Sequence, residues 1–128
     1  MRLLLDTHAF IWCDLTPERL SPRVQAAIRD TGNSVHLSLV SVWEMQIKMQ
    51  NEKLRLSKSL TEVIEEQRAT NGIVIQPVTL EDILGLADLP LHHRDPFDRL
   101  LVAQARQENF ELVSSDPHLA SYDVRLFW

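Results

Sequence analysis

Strand-like and helix-like segments alternate along the chain. Segments typical of buried strands occupy residues 3–5, 35–40, 73–75 and 111–114, and residues 124–126 are a candidate for a short edge strand. Amphipathic segments with helical spacing lie between them, as at residues 59–70 and 79–87. This alternation predicts an α/β fold, a three-layer α/β/α arrangement around a central parallel sheet of four to five strands.

Acidic residues follow three of the predicted strands. Asp6 comes directly after the first strand, and Asp116 follows the fourth. Glu44 stands three residues after Ser41, which is the spacing of a capping box and places Glu44 in the first turn of a helix that leaves a strand. Because the carboxyl ends of parallel strands share one edge of the sheet, we expect these acids at that edge, where open α/β sheets bind ligands.

A fourth acid, Asp98, belongs to a segment that fits a helix start. Asp95 has the N-cap position and Pro96 the first helical position, so Asp98 falls in the first turn. The positive end of the helix dipole stabilises a carboxylate there as the anion. Asp98 reaches the same edge of the sheet if residues 89–94 return the chain to it.

The four acids predict a metal site only when they are considered together. Each one alone is explained by helix capping or by the helix dipole. Four converging carboxylates would repel one another, and a hard divalent ion such as Mg2+ or Mn2+ offsets that repulsion with oxygen ligands. A site of this kind supports hydrolysis of phosphodiesters, with one bound ion or with two.

Length and composition fit a single domain over residues 1–128. The net charge of −5 argues against a simple basic surface for nucleic acid, but it is compatible with an enzyme that meets phosphates through metal ions. The single cysteine, Cys13, is expected to be a buried thiol, which fits a cytoplasmic location. No apolar segment approaches the length of a membrane span.

Residues 51–58 form a polar connector with three nearby cations, Lys53, Arg55 and Lys58. A solvated loop is the simpler interpretation, because clustered charges usually lie at the surface. Contact with the backbone of a nucleic acid is the alternative.

Four motifs together resemble the PIN domain nucleases, and among them the VapC-type toxins of bacterial toxin–antitoxin pairs. The motifs are LLLDTH at residues 3–8, SVWE at 41–44, RDPFDR at 94–99 and SSD at 114–116. Their order and spacing extend the resemblance over nearly the whole chain.

The resemblance implies a ribonuclease that depends on Mg2+ or Mn2+. Its acidic ligands would be Asp6, Glu44, Asp98 and Asp116, and Ser114 would help to hold the last acid or a water on the metal. It also implies an RNA substrate, a homodimer, and a small antitoxin protein whose tail enters the active-site groove.

Three residues of the RDPFDR motif have two interpretations each. Asp95 is assigned as the helix cap, although it could share in metal binding. Arg94 and Arg99 could contact substrate phosphate or form salt bridges that hold the local fold.

Two other functions remain as alternatives. The chain could be a catalytically silent interaction module that has kept the fold. A receiver-type signalling domain is less favoured, because it needs paired acids after the first strand and a lysine at a later strand end. Here only Asp6 follows the first strand, and no lysine accompanies Ser114 and Asp116.

Overall fold

One parallel sheet forms the centre of the molecule. The computed structural model describes residues 1–92 and 95–128, and within them the sheet has five strands in the order β3-β2-β1-β4-β5. The strands are β1 (Arg2–Leu5), β2 (Ser34–Ser38), β3 (Val74–Gln76), β4 (Glu111–Val113) and β5 (Leu126–Phe127). All four neighbouring pairs are parallel, which confirms the predicted sheet.

The strand β1 is central because both of its faces are apolar. Leu3 and Leu5 face one hydrophobic cluster and Leu4 faces the other, and all three are completely buried. In register, Leu4 lies between His36 of β2 and Leu112 of β4. A strand with no polar face must be covered by helices on both sides, which gives the three layers.

Helices cover both faces of the sheet. They are α1 (Thr7–Leu15), α2 (Pro22–Arg29), α3 (Leu39–Gln50), α4 (Leu60–Asn71), α5 (Leu80–Leu84) and α6 (Pro96–Gln107). The first cluster contains buried residues of α1, α2, α3 and α4, and the second is built largely on α6. None of these helices, within the described ranges, combines the length and apolar character that crossing a bilayer requires.

Most predicted helix boundaries are confirmed. Ser21 and Ser59 cap α2 and α4 through backbone N–H groups three residues on. Thr79 and Asp82 form the predicted capping box at the start of α5. Gly72 ends α4 in the left-handed region, with φ of 63°, a conformation that glycine adopts without a steric cost.

The boundary between β2 and α3 differs from the prediction. The strand ends at Ser38, whose side chain caps α3 by accepting from the N–H of Val40 at 3.1 Å. The predicted capping box of Ser41 and Glu44 is therefore wrong, and Glu44 is the sixth residue of α3 rather than a member of its first turn. Both serines have a sequence suited to a cap, so local spacing alone does not distinguish them.

Two other elements are shorter than predicted. The helix expected over residues 79–87 ends at Leu84 and continues as a 3-10 turn, Gly85–Asp88. The edge strand is Leu126–Phe127 rather than 124–126. These differences lie at element ends, where short-range patterns discriminate least.

The strand order identifies where a ligand crevice should lie. Successive strands β1, β2 and β3 run outward on one side, and β4 and β5 are added on the other side of β1. This reversal creates a switch point at the carboxyl ends of β1 and β4. Receiver domains have the order 2-1-3-4-5, so the observed order contradicts the receiver alternative.

Candidate active site

Asp6 lies at the switch point, directly after β1. It is the N-cap of α1, and its Oδ1 accepts a hydrogen bond of 2.7 Å from the N–H of Ala9. Its own N–H donates to the carbonyl of Val113 in β4 at 3.0 Å, so the backbone carries the pairing of the two strands up to the site. The residue is only 7% exposed.

Ser114 and Asp116 reach the same point from β4. The buried Ser114 hydroxyl accepts from the N–H of Asp116 at 3.1 Å and hydrogen-bonds the carboxylate of Asp6. Because the hydroxyl already accepts from Asp116, its proton is available to donate to Asp6. Asp116 also caps a 3-10 helix, Pro117–Ser121, through the N–H of His118.

The environment of Asp6 raises the pKa of its carboxyl group. Burial is the largest cause, and the nearby charge of Asp116 acts in the same direction. Hydrogen bonds from Ser114 and Ala9, and the neighbouring His8, lower the pKa but do not cancel these effects. A buried carboxylate beside a second one is the situation that a bound cation relieves.

Glu44 joins the site from α3 through Thr7. The hydroxyl of Thr7 lies 2.7 Å from Oε1 of Glu44 and 3.0 Å from the hydroxyl of Ser41. A carboxylate only accepts, so Thr7 donates its single proton to Glu44 and Ser41 donates to Thr7. Oε2 of Glu44 accepts from Nζ of Lys48 at 2.6 Å. Glu44 itself is 3% exposed.

Asp98 lies in the first turn of α6. As predicted, Asp95 caps the helix, since its Oδ1 accepts from the N–H groups of Phe97 and Asp98 at 2.9 and 3.3 Å. The rings of Phe97 and Trp43 meet edge to face with centroids 5.2 Å apart, so the first turn of α6 packs on α3 next to Glu44. Asp98 is partly buried there.

Some of the predicted site residues thus contact one another, whereas others are near the site only because their helices pack together. Asp6, Ser114 and Asp116 are in mutual contact or charge interaction, and Glu44 is tied to the residue next to Asp6. Among the described residues, no three His, Cys, Asp or Glu side chains are close enough to hold an ion as they stand. The convergence of all four carboxylates stays a prediction.

Three polar residues of the site were not predicted from the sequence: Thr7, Ser41 and Lys48. Lys48 had a detectable signal, because a lysine four residues after a glutamate on one helix face is a common ion pair. The contact between Thr7 and Glu44 had none, since it joins residues 37 positions apart.

The residues around the RDPFDR motif have separate outcomes. Arg99 donates from Nη2 to the carbonyl of Leu89 at 3.3 Å, which supports a role in holding the local chain. Arg94 lies outside the described residues, so its two interpretations stay open.

Comparisons with known proteins agree with this geometry. The chain is 28% identical over 124 residues to ribonuclease VapC22 of Mycobacterium tuberculosis, covering 94% of this chain and 91% of the relative. Its fold matches VapBC2 from Rickettsia felis, solved bound to a DNA fragment from their promoter, with a TM-score of 0.71 and 13% identity over 98% of this chain and 96% of the other.

A second solved structure, FitAcB from Neisseria gonorrhoeae, matches with a TM-score of 0.61 and 23% identity, covering 98% of this chain and 96% of that one. The profile of the PIN domain matches residues 3–125, which is nearly the entire chain. The sequence match, the parallel sheet and the acids at its switch point agree, and the chain belongs to the PIN domain family.

Proposed function

We propose that this protein is a metal-dependent endoribonuclease, the VapC-like toxin of a toxin–antitoxin pair. The observation that carries the proposal is the contact of Asp6 with Ser114 and the charge of Asp116 at the switch point between β1 and β4. Membership of the PIN domain family and the similarity to ribonuclease VapC22 support the activity. Residues 1–128 would form one nuclease domain.

The residues present suit a hard divalent ion. The candidate ligands all supply carboxylate oxygens: Asp6, Glu44, Asp98 and Asp116. Mg2+ and Mn2+ prefer oxygen ligands, whereas sulfur and nitrogen ligands favour other metals. The raised pKa of the Asp6 carboxyl, caused first by burial and also by Asp116, is a cost that a cation at this position would remove.

When bound, the ion would lower the pKa of a water and stabilise charge on the leaving oxygen of the phosphodiester. Other groups of the protein hold the carboxylates in position. Ser114 orients the carboxylate of Asp6 by a hydrogen bond, and the N–H of Ala9 fixes it from the other side. Thr7 and Lys48 hold the two oxygens of Glu44 in one orientation.

Two protein partners belong to the proposal. The solved neighbours include a member of the VapBC family of toxin–antitoxin systems from Mycobacterium tuberculosis, which supports a small antitoxin as the partner of this chain. A homodimer is the assembly that the PIN-domain toxins imply.

A cleavage assay tests the proposal. Purified protein is incubated with labelled structured and unstructured RNAs in Mg2+, in Mn2+ and in chelator, beside the variants Asp98→Asn and Asp123→Asn. Asp123 is an exposed acid after the Pro117–Ser121 helix and serves as the control for loss of one negative charge. We expect cleavage that needs metal, that Asp98→Asn abolishes, and that Asp123→Asn retains.

The same assay distinguishes the second candidate function. A catalytically silent interaction module would cleave no RNA under any condition and would bind neither Mg2+ nor Mn2+ in a calorimetric titration. Cleavage that persists in Asp98→Asn at the wild-type rate would instead contradict the assignment of the site.

A further inference from the structure

The end of α3 and the connector behind it are basic in an otherwise acidic protein. Residues 48–58 contain four cations and one acid, Glu52, whereas the whole chain has a net charge of −5. Lys53, Arg55 and Lys58 are all exposed. Lys48 is paired with Glu44, and Lys58 lies near the charges of Glu66, Glu62 and Asp14, so Lys53 and Arg55 are the cations here that attract a polyanion most directly.

These cations surround a cavity of about 610 Å³, which we call the basic cavity. Its lining consists of Met49, Glu52, Lys53, Leu54, Arg55, Leu56 and Lys58. The apolar members belong to the core, since Leu56 is 6% exposed and Met49 and Leu54 pack against the first hydrophobic cluster. The charged ends thus stand around a rigid apolar base.

Hydrogen bonds fix the backbone that presents the cations. The N–H of Lys53 donates to the carbonyl of Lys48 at 2.8 Å, and Glu52 makes the turn with a left-handed φ of 58°. The N–H of Ser57 donates to Oδ2 of Asp14 at 2.9 Å, and its hydroxyl bonds the other oxygen. A fixed backbone lowers the entropy cost of binding a ligand at this loop.

Two of the cations are available for a partner. Lys53 and Arg55 form no salt bridge with any residue in the described part of the chain. Lys58 pairs with Glu66 at 2.8 Å, but both side chains are about half exposed, and such a pair contributes little to stability. An anion at the basic cavity can therefore compete for all three.

Two contacts along α3 connect the basic cavity with the candidate active site. Glu44 is joined to Lys48 by an ion pair, and Lys48 is joined to Lys53 through the backbone. Between Glu44 and the end of α3 at Gln50 the helix rises about 9 Å, at about 1.5 Å per residue. A nucleic-acid strand covers that distance in about three nucleotides, at about 3.4 Å per nucleotide.

We propose that the basic cavity binds the phosphodiester backbone of the RNA substrate a few nucleotides from the bond that is cut. This inference rests on the proposed nuclease function and names the surface that holds its substrate. An RNA backbone suits the site better than an acidic peptide, because its charges repeat along a line that can extend from the basic cavity to the acids. Contacts with phosphates position a strand without reading its sequence.

The test is RNA binding without cleavage. Labelled single-stranded RNA is titrated in chelator with full-length Asp98→Asn, and with the same protein that also carries Lys53→Gln and Arg55→Gln. A matched control carries Arg68→Gln and Arg106→Gln instead, which remove the same charge from exposed positions of α4 and α6. Thermal unfolding by circular dichroism shows that each variant is folded.

We expect the Lys53/Arg55 variant to raise the Kd about tenfold at low salt, and the control to change it little. The slope of log affinity against log salt should fall by about 1.4, because each phosphate contact on a single strand contributes about 0.7. Equal Kd values and slopes for the two double variants would overturn the proposal. So would a Lys53/Arg55 variant that keeps RNA binding but loses an acidic antitoxin peptide.

Wild-type cleavage, measured in parallel, separates this proposal from the nuclease function. If the protein cleaves RNA equally well without Lys53 and Arg55, RNA binding at the basic cavity is contradicted and the nuclease function is not. RNA binding that depends on these residues, without cleavage in Mg2+ or Mn2+, supports the surface and contradicts the nuclease function.

Discussion

The ammonium of Lys48 lies 2.6 Å from Oε2 of Glu44, one helical turn earlier on α3. The side chain of Glu44 is 4% exposed and that of Lys48 is 38% exposed, so a lysine at the surface balances a buried charge. Thr7 bonds the other oxygen of the same carboxylate. Glu44 is therefore held by two donors from two helices, α1 and α3.

Replacing Lys48 by methionine should destabilise the protein by about 1–2 kcal/mol, because it leaves a buried carboxylate without its charged partner. Urea unfolding measures the difference. Lys58→Met is the control, since it breaks an exposed ion pair with Glu66 and should cost much less. Equal losses in the free energy of unfolding would show that the pair of Glu44 and Lys48 stabilises the protein no more than the exposed pair does.

Replacing Thr7 by valine should also cost about 1–2 kcal/mol, because the valine side chain has the same shape and no hydroxyl to donate to Glu44. Thr7→Ser keeps the hydroxyl and should retain most of the lost stability. The comparison of the two variants by thermal unfolding isolates the hydrogen bond from the packing. A serine variant as unstable as the valine variant would argue against this bond.

Asp6→Asn should have opposite effects on stability and activity. The amide can still cap α1, and it removes a negative charge whose burial is unfavourable, as the raised pKa of the Asp6 carboxyl indicates. In chelator at neutral pH we therefore expect the variant to be at least as stable as wild type. RNA cleavage should fall more than about 100-fold, beyond the usual effect of losing an outer-shell partner. Added Mn2+ should raise the melting temperature of wild type only.

A clear loss of stability in Asp6→Asn without metal would contradict this account. It would mean that the carboxylate at this position stabilises the fold, and that the acid is retained for structure rather than for chemistry. Position 6 would then resemble an ordinary helix cap.

An acid pair between α5 and the end of α6 predicts a dependence of stability on pH. Glu108 follows α6, and Asp82 is completely buried in α5. Oδ1 of Asp82 and Oε2 of Glu108 are both buried and have no hydrogen-bond partner among the described residues. Two carboxylate oxygens can satisfy each other only if one of the two groups carries a proton. Burial first, and then Asp82, raise the pKa of Glu108 above its ordinary value of 4.5.

The folded state holds the proton on Glu108 more tightly than the unfolded state does. The proton therefore stabilises the fold fully at a pH below the ordinary pKa of Glu108, and this stabilisation is lost as the pH rises through the raised pKa of the folded state. The free energy of unfolding should therefore fall as the pH rises from about 4.5 towards neutrality. Glu108→Gln should flatten this decline, and the part that remains reports other groups, such as Asp6. A decline of the same slope in Glu108→Gln would contradict the shared proton.

Local signals predicted the parts of the site that depend on short-range structure. Asp6, Asp95 and Asp116 each precede a residue that starts a helix, and each is found as a cap. Glu44 was placed in the wrong helical turn, because Ser38 and Ser41 compete as caps and the choice depends on where β2 leaves the sheet.

The rest of the arrangement is a property of the tertiary structure. Strand alternation predicted a parallel sheet, but the position of β4 beside β1 brings Ser114 to Asp6, and no pattern in the sequence specifies that order. The same holds for Asp82 and Glu108, whose elements meet only when α5 packs on α6. Such contacts join residues far apart in the chain, where spacing has no predictive content.

The central claim is that the acids at the ends of β1 and β4 form a metal site for RNA cleavage, and a calorimetric titration with Mn2+ tests it most directly. Wild type, Asp6→Asn and Asp123→Asn are titrated at neutral pH, and cleavage of RNA is recorded at each Mn2+ concentration. We predict that wild type and Asp123→Asn bind Mn2+ with the same affinity, that cleavage follows the occupied fraction, and that Asp6→Asn loses both. Equal Mn2+ binding by Asp6→Asn and wild type, or full cleavage without Mn2+ in chelator, would contradict the claim.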